Sequence, residues 1–321
     1  MESTKNPQNR GDANEVAEYA TLMEGAAVVD LPKTILRLNG KDPVGMLNAV
    51  LTNEVPEEDN LGVYALLLNP KGRIQTDLRI IKVPSGEGVL VVTEPEGAEA
   101  AKEILGRYAP FSRVNLEELP DWKALGFYGP DAVSIRDVGF GLSEHESAEV
   151  ENNGTKLLAV GVATPVPGFD HLGPADMVGV VRERLIERGA IPASVDVYET
   201  ARIKAGIPRF GSDITPENFP AETGILERAV SFEKGCYPGQ ETVARMRYRG
   251  HPNKLLHRFA VEGPSPPPDT PILQAGKQVG RATSVAPLPV DGETFALGYL
   301  SRDANARGVL RAGNATLLPL A

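Results

Sequence analysis

The sequence predicts an α+β body followed by a small all-β module at its C-terminal end. Three observations carry this expectation. From about residue 30 the chain alternates short β-rich runs with helical patterns. Residues 262–271, EGPSPPPDTP, hold five prolines in ten positions, too stiff for a helix and unable to pair in a central strand. Beyond them come only short strand-like pieces separated by turns, ILQAG, QVGRATSVAP, FALGYLS, GVLRAG and ATLLPL, the pattern of a small barrel or sandwich. The expected division is a disordered tail over residues 1–20, a body of two subdomains over 21–258 and a β-barrel over 259–321; the tail is assigned from its low hydrophobicity.

The elements follow in order. TILRLNG alternates apolar and polar residues as a half-buried strand does, and Gly40 closes it. In KDPVGMLNAVLTN, Val44, Leu47 and Leu51 recur at helical spacing behind Asp42 as N-cap and Pro43 at the first helical position. GVYALLLNPKGRIQTDLRIIKV reads as a hairpin, two β-rich runs around the turn NPKG. A strand over residues 88–93, a helix in EGAEAAKEILGRY and strands in DWKALGFYG and TKLLAVGVA come next. GPADMVGVVRERLIERGA is the clearest helix, with Met177, Val181 and Leu185 along one side. VDVYETARIKAG is a further helix, stopped by Gly206 and Pro208.

Composition narrows the function classes. A net charge of -10 argues against a general nucleic-acid binder, which carries a basic footprint. No run approaches the ~20 apolar residues that span a bilayer, and the N-terminal stretch lacks the apolar region of a secretory signal. These features predict no membrane partner and a cytoplasmic protein. The single cysteine, Cys236, cannot form an internal disulfide, which suits a reducing compartment. It also excludes a four-cysteine zinc or iron–sulfur site within one chain, though not ligation shared between chains, and no metal-ligating residue is assigned.

That cysteine lies in SFEKGCYPGQETVARMRYRG, residues 231–250. Tyr237-Pro238-Gly239-Gln240 has Pro and Gly at the central positions of a type II turn, which places Cys236 on an irregular loop. Downstream, Arg245, Arg247 and Arg249 stand at every second position; in an extended segment the three guanidiniums share one face. Positive potential stabilises a thiolate and attracts carboxylates or phosphates. An inert small hydrophobe beside a solvated arginine face is the competing reading, and residue types alone leave the two near even.

KGCYPGQE, with VARMRYRG after it, resembles the K-G-C-[FY]-x-G-Q-E signature of the YgfZ-type proteins. These are folate-binding relatives of the glycine-cleavage T-protein, an aminomethyltransferase, and are implicated in assembly or repair of iron–sulfur enzymes. The match covers Lys234, Gly235, Cys236, Tyr237, Gly239, Gln240 and Glu241. LNGKDPVGMLNAVLTNEV resembles an early family segment, with Glu54 where Asp is common; LLLNPKGRIQTDLRI and ARIKAGIPRFGSDITPENFPAETGI resemble two more. The resemblance runs from about residue 30 to 258. It implies a ring of α+β subdomains around a central folate channel, closed by the C-terminal barrel, with tetrahydrofolate or a one-carbon derivative as cofactor.

Two positions divide the family's functions. The transferases carry an Asp on the hairpin strand at the reactive edge of the folate, and Asp77 occupies the matching place. They also carry R-x-E-A-G, whose Glu holds the pterin edge; here RIKAG puts Lys204 in that slot, and a lysine has donors only. The transferases lack the cysteine motif. The resemblance therefore implies a tetrahydrofolate-binding protein that supports iron–sulfur cluster assembly or repair through Cys236, with iron–sulfur client enzymes or assembly proteins as partners. Lys234, Arg245 and Arg247 would tune the thiol or hold the folate's carboxylates, Tyr237 would offer an aromatic face, and Gln240 and Glu241 would fix the loop. Two alternatives stand beside it: a folate-dependent aminomethyl or methyl transferase using Asp77, and a folate-binding scaffold without chemistry.

Overall fold

The computed structural model describes residues 13–86, 88–135, 141–152, 155–306 and 308–320. The first element is α1 (Ala13–Glu24). Of the tail expected over 1–20, residues 1–12 lie outside the described set, and the rest is helix. Tyr19 and Leu22, three residues apart, supply an apolar edge that is buried in the central core, and Glu18 accepts a hydrogen bond from the backbone N–H of Ser194 at 3.1 Å. Strands β1 (Ala27–Leu31) and β2 (Thr34–Gly40) follow. Helix α2 (Pro43–Val50) starts as its sequence predicts: the Asp42 carboxylate accepts from Gly45 N–H at 2.9 Å and Pro43 occupies the first turn.

The hairpin is β3 (Val63–Leu68) and β4 (Ile74–Lys82), closed by a hydrogen bond from Gly72 N–H to Asn69 O at 2.8 Å. Its register pairs Leu66 with Asp77 and Tyr64 with Arg79. Strand β5 (Val89–Thr93), helix α3 (Ala98–Tyr108) and strand β6 (Val114–Glu118) complete an antiparallel five-stranded sheet of order β3-β4-β5-β2-β6. Helices α2 and α3 pack on it, and Met46, Leu47, Ala101 and Leu105 fill the space with Leu36, Leu78 and Val91.

A second sheet follows from β7 (Trp122–Tyr128), the short α4 (Ala132–Ile135), β8 (Ser147–Asn152), β9 (Thr155–Val162) and β10 (Gly168–Pro174). Helix α5 (Ala175–Glu187) buries Met177, Val181 and Leu185 against it, and the two-residue β11 (Ile191–Pro192) extends β1 in parallel. The sheet order is β11-β1-β7-β10-β9-β8. Helix α6 (Val195–Lys204), capped by the Ser194 hydroxyl, packs on α1 and β1. The short α7 (Leu226–Ala229) and then α8 (Gln240–Tyr248) end the body.

The C-terminal strands β12 (Lys254–Glu262), β13 (Pro271–Gln274), β14 (Lys277–Val285), β15 (Thr294–Ser301), β16 (Leu310–Ala312) and β17 (Ala315–Leu320) form a closed six-stranded barrel. Its first strand begins at Lys254, ahead of residue 259, because the proline-rich stretch that marked the change of composition is the connection after β12. A buried polar latch fastens the barrel to the body. Asp213 accepts from Arg202 of α6 at 2.5 Å and from the hydroxyl of Thr283. Arg202 also donates to Ser284 Oγ at 3.0 Å, and the Tyr299 hydroxyl donates to the Asp213 carbonyl at 3.0 Å. Both carboxylate oxygens of Asp213 are thus satisfied, as a buried charge requires.

Candidate functional site

Where the two sheets, α6, α7 and the barrel edge meet, they enclose a cavity of about 430 Å³, within the size range of sites for small molecules. Successive side chains of a strand alternate faces, so Asp77 and Arg79, two apart on β4, both line it. Tyr64 comes from β3, Tyr128 from β7, Asp170 from β10, and Tyr198, Glu199 and Arg202 from α6. Lys33, Glu94, His145, Arg209 and Arg228 come from connections and α7. The rings of Tyr128 and Tyr198 stack with centroids 5.5 Å apart. Tyr128 folds back over its own strand: a Cβ at Gly126 would lie 2.2 Å from the Tyr128 ring.

The charges inside are arranged in chains. The Tyr64 hydroxyl donates to Asp77 Oδ2 at 2.7 Å. Burial, and then the charge of Glu94, raise the Asp77 pKa from 3.8 to about 6. Burial and Asp77 together hold the Tyr64 phenol well above its ordinary range. Glu94 is paired with Lys33. Arg79 donates from Nε to His145 Nδ1 at 3.1 Å and from Nη2 to the Gly161 carbonyl at 2.6 Å, and it is paired with Asp170. Burial and the Arg79 and Arg228 charges push His145 down to about 3, so its imidazole is neutral and acts as an acceptor. His145 has φ +66, a conformation that non-glycine residues adopt at a cost.

Two groups are incompletely satisfied. Among the described residues, the Nε atoms of Arg209 and Arg228 are buried without a hydrogen-bond partner, although the Arg209 Nε lies 3.7 Å from Glu199 and Arg228 is bonded to Glu144 through Nη2 at 2.7 Å. Buried donors without acceptors are uncommon in folded proteins, and both belong to residues of the cavity wall.

Of the residues singled out from the sequence, Asp77 alone lines this cavity. Lys204 does not: its ammonium lies over the rings of Tyr19 and Phe295, at 5.8 and 5.4 Å, on the side where α1 and the barrel meet α6. The remaining residues form a second feature. The predicted turn is present, with Gly239 at φ +83 and Gln240 N–H bonded to Tyr237 O at 3.3 Å. Cys236 is exposed on the loop before it. Lys234 turns inward and is buried; its ammonium donates to the carbonyls of Asn48, Leu51 and Asn53 at 2.9, 2.6 and 3.1 Å. Burial pushes Lys234 down to about 8 and Tyr237 up to about 12. Tyr237 packs with Leu66, Ile225 and Val230.

The extended segment expected after the turn is a helix. Gln240 and Glu241 open α8, with the Glu241 carboxylate exposed in its first turn. A 3.6-residue period separates what a strand would align. Arg245 and Arg249, four apart, lie on one exposed side, while Arg247 lies opposite, bonded to Glu227 at 2.8 Å and stacked 3.9 Å from the Phe232 ring. The three arginines therefore do not form one anion cradle. The loop also touches the hairpin: a Cβ at Gly239 would stand 2.6 Å from Asn69 O and 2.8 Å from Gly72 Cα. Only glycine permits both the angle and the approach.

Sequence reasoning missed Tyr64, Glu94, His145, Glu199, Arg209 and Arg228. Arg79 alone had a local signal, two positions from Asp77 on the same strand; the others arrive from distant segments. Among the described residues no group of three or more His, Cys, Asp or Glu side chains is placed to hold a metal ion. No described helix is long and apolar enough to cross a membrane.

With this geometry in hand, comparison with known proteins is informative. The family model described as the GCVT N-terminal domain matches residues 7–234. An aminomethyltransferase of Moorella thermoacetica is 26% identical over 278 residues, covering 83% of this chain and 75% of that protein. A protein of Yersinia enterocolitica named tRNA-modifying protein YgfZ is 28% identical over 285 residues, covering 86% of this chain and 84% of its own. The crystal structure of glycine cleavage system aminomethyltransferase T from Bartonella henselae superposes with a TM-score of 0.82 over 95% of this chain and 87% of that one, at 18% identity. The fold is that of the aminomethyltransferase superfamily, and the chain belongs to the GCVT N-terminal domain family as a YgfZ-type member.

Proposed function

We propose that this protein binds tetrahydrofolate, or a one-carbon derivative of it, in the cavity around Asp77, and that it supports assembly or repair of iron–sulfur clusters through Cys236. The observation that carries the folate reading is the pair of partly exposed guanidinium side chains of Arg209 and Arg228 in the cavity wall, 28% and 35% accessible. Each suits an acceptor atom of an anionic ligand, and a folate ends in carboxylates. The tyrosine walls suit a flat heteroaromatic ring, and Glu199 and Asp77 are carboxylates that accept N–H groups from such a ring. Family membership favours a folate-related function. The iron–sulfur role and its client enzymes or assembly proteins are supported by the KGCYPGQE motif and by the exposure of its thiol; a reducing cytoplasm is the compartment that fits a single free cysteine.

A specific observation favours a second reading, one-carbon transfer. Asp77 is buried in the cavity with a pKa near 6, where a carboxyl exchanges a proton readily at neutral pH. Calorimetric titration with tetrahydrofolate, on the untreated protein and on protein alkylated at Cys236, tests the shared premise. Stoichiometric binding is expected, and no heat with either form would sink both readings. The readings then separate by substitution. An iron–sulfur role predicts that client enzyme activities fall in cells carrying Cys236→Ala; a transferase predicts that turnover collapses in Asp77→Asn and survives Cys236→Ala. If neither variant has any effect while folate binds, the protein is a scaffold.

A further inference from the structure

The thiol and the cavity are separate features of the surface, but one dipeptide bonds to the backbone of both. Asn53 donates from its carboxamide to the carbonyls of Tyr64 and Arg228, each at 3.1 Å, and both of those residues line the cavity. The carbonyl of the same Asn53 accepts from Lys234, two residues before Cys236. Its neighbour Thr52 is buried and donates from Oγ1 to Ala229 O at 2.6 Å while accepting from Leu66 N–H at 2.8 Å. The Thr52 carbonyl accepts from Ser231 N–H at 3.0 Å, and the Ser231 hydroxyl accepts from Lys234 N–H at 3.2 Å. A second connection runs through packing, because Tyr64 and Ile225 of the cavity wall share one apolar cluster with Tyr237 of the thiol loop.

We infer that Thr52 and Asn53 couple occupancy of the cavity to the reactivity of Cys236. The inference rests on the cavity's taking tetrahydrofolate. A ligand that bonds the partly exposed guanidinium of Arg228 restrains α7, and α7 leads directly through Val230 and Ser231 into the loop. The Asn53 carboxamide ties the carbonyl of Arg228 to that of Tyr64, so the two walls and the loop shift together or not at all. Asn53 is a positioning residue in this scheme: it touches neither the ligand nor the thiol. The thiol then reports ligand binding to whatever approaches it from outside without touching the ligand.

The test measures the alkylation rate of Cys236 by iodoacetamide, with and without saturating 5-formyltetrahydrofolate, whose binding is followed separately by calorimetry. Wild type is expected to change rate by at least about fivefold on binding, the lower end of ordinary coupling between sites. Asn53→Ala and Lys234→Met are expected to bring the ratio of the two rates close to one at saturating ligand. A general loosening of the loop raises both rates and leaves their ratio alone, so the ratio separates coupling from structural support. Lys102→Ala, on the far surface of α3, is expected to keep the wild-type ratio. Binding by calorimetry with no change in wild-type rate would overturn the coupling and leave the folate reading standing, as would a wild-type ratio retained in both hub variants. Absence of binding to wild type would overturn both.

Discussion

Asp77→Asn should make the protein more stable above neutrality and leave it much as it was in acid. Asp77 is buried, and its carboxyl titrates near 6 instead of 3.8. A group whose pKa is raised by folding stabilises the fold below its unfolded pKa, and that contribution is lost as the pH rises through the folded value. The difference is about two pH units, and at about 1.4 kcal/mol per unit the ionised side chain costs the fold about 3 kcal/mol at pH 8. Asparagine has nearly the same shape, can still accept from Tyr64, and never ionises. The hydrogen bond that the Asp77 carbonyl accepts from Thr93 Oγ1 at 2.8 Å belongs to the backbone and survives. Denaturant unfolding of both proteins at several pH values between 3.5 and 8 gives the stability difference directly, and groups present in both cancel. The variant's advantage should grow between pH 4 and 6 and level off by pH 7, about 3 kcal/mol above its value in acid. A difference that is independent of pH would refute the claim that burial and Glu94 hold this carboxyl up.

Three further outcomes are expected. His145 should act in the opposite direction: its folded pKa near 3 lies below the ordinary 6.5, so its contribution is lost as pH falls through that window, by about 4 kcal/mol at pH 3. His145→Asn, which tolerates positive φ, should flatten the acid limb of a stability–pH profile. Gly239→Ala should cost about 2–4 kcal/mol, from the left-handed backbone and the overlap with the hairpin, and thermal unfolding will show it. Asp213→Ala leaves the Arg202 charge paired with Glu199 but removes the buried acceptor shared by Arg202 and Thr283, and should cost about 2–3 kcal/mol; limited proteolysis should then release the barrel near residues 250–254.

Much of the fold was legible because its signals are local. The Asp42-Pro43 start of α2, the NPKG hairpin and the short barrel strands each declare themselves within ten residues. The helix α8 was misread because Arg-x-Arg-x-Arg repeats every second residue, which mimics a strand. A competing signal was present: Gly239 at the N-cap, Glu241 in the first turn, and Arg245 and Arg247 in the last turn complement a helix dipole. The start of α1 was missed because its apolar residues are split, Tyr19 and Leu22 inward and Val16 and Met23 exposed, and the burial of the first two depends on α6. The cavity is the least legible part. Asp77 was reached by resemblance, whereas Glu94, His145 and Arg228 converge on it from segments up to 151 residues away in the chain. Lys204 occupies the slot that the transferases give to a glutamate, yet its side chain leaves the cavity toward Tyr19 and Phe295, a direction no spacing rule reveals.

The missing side chain at Gly126 has a consequence for what the protein can admit. The Tyr128 ring lies where a Cβ of residue 126 would be, and the same ring forms part of the cavity wall and stacks on Tyr198. Any larger residue at 126 displaces that ring, and the available direction is into the cavity or against Tyr198. The caliber of the site is therefore set on the sheet behind its wall, by an absent methyl group that no ligand would meet. Selectivity for a bulkier or slimmer occupant can be retuned from there without altering a single charged residue.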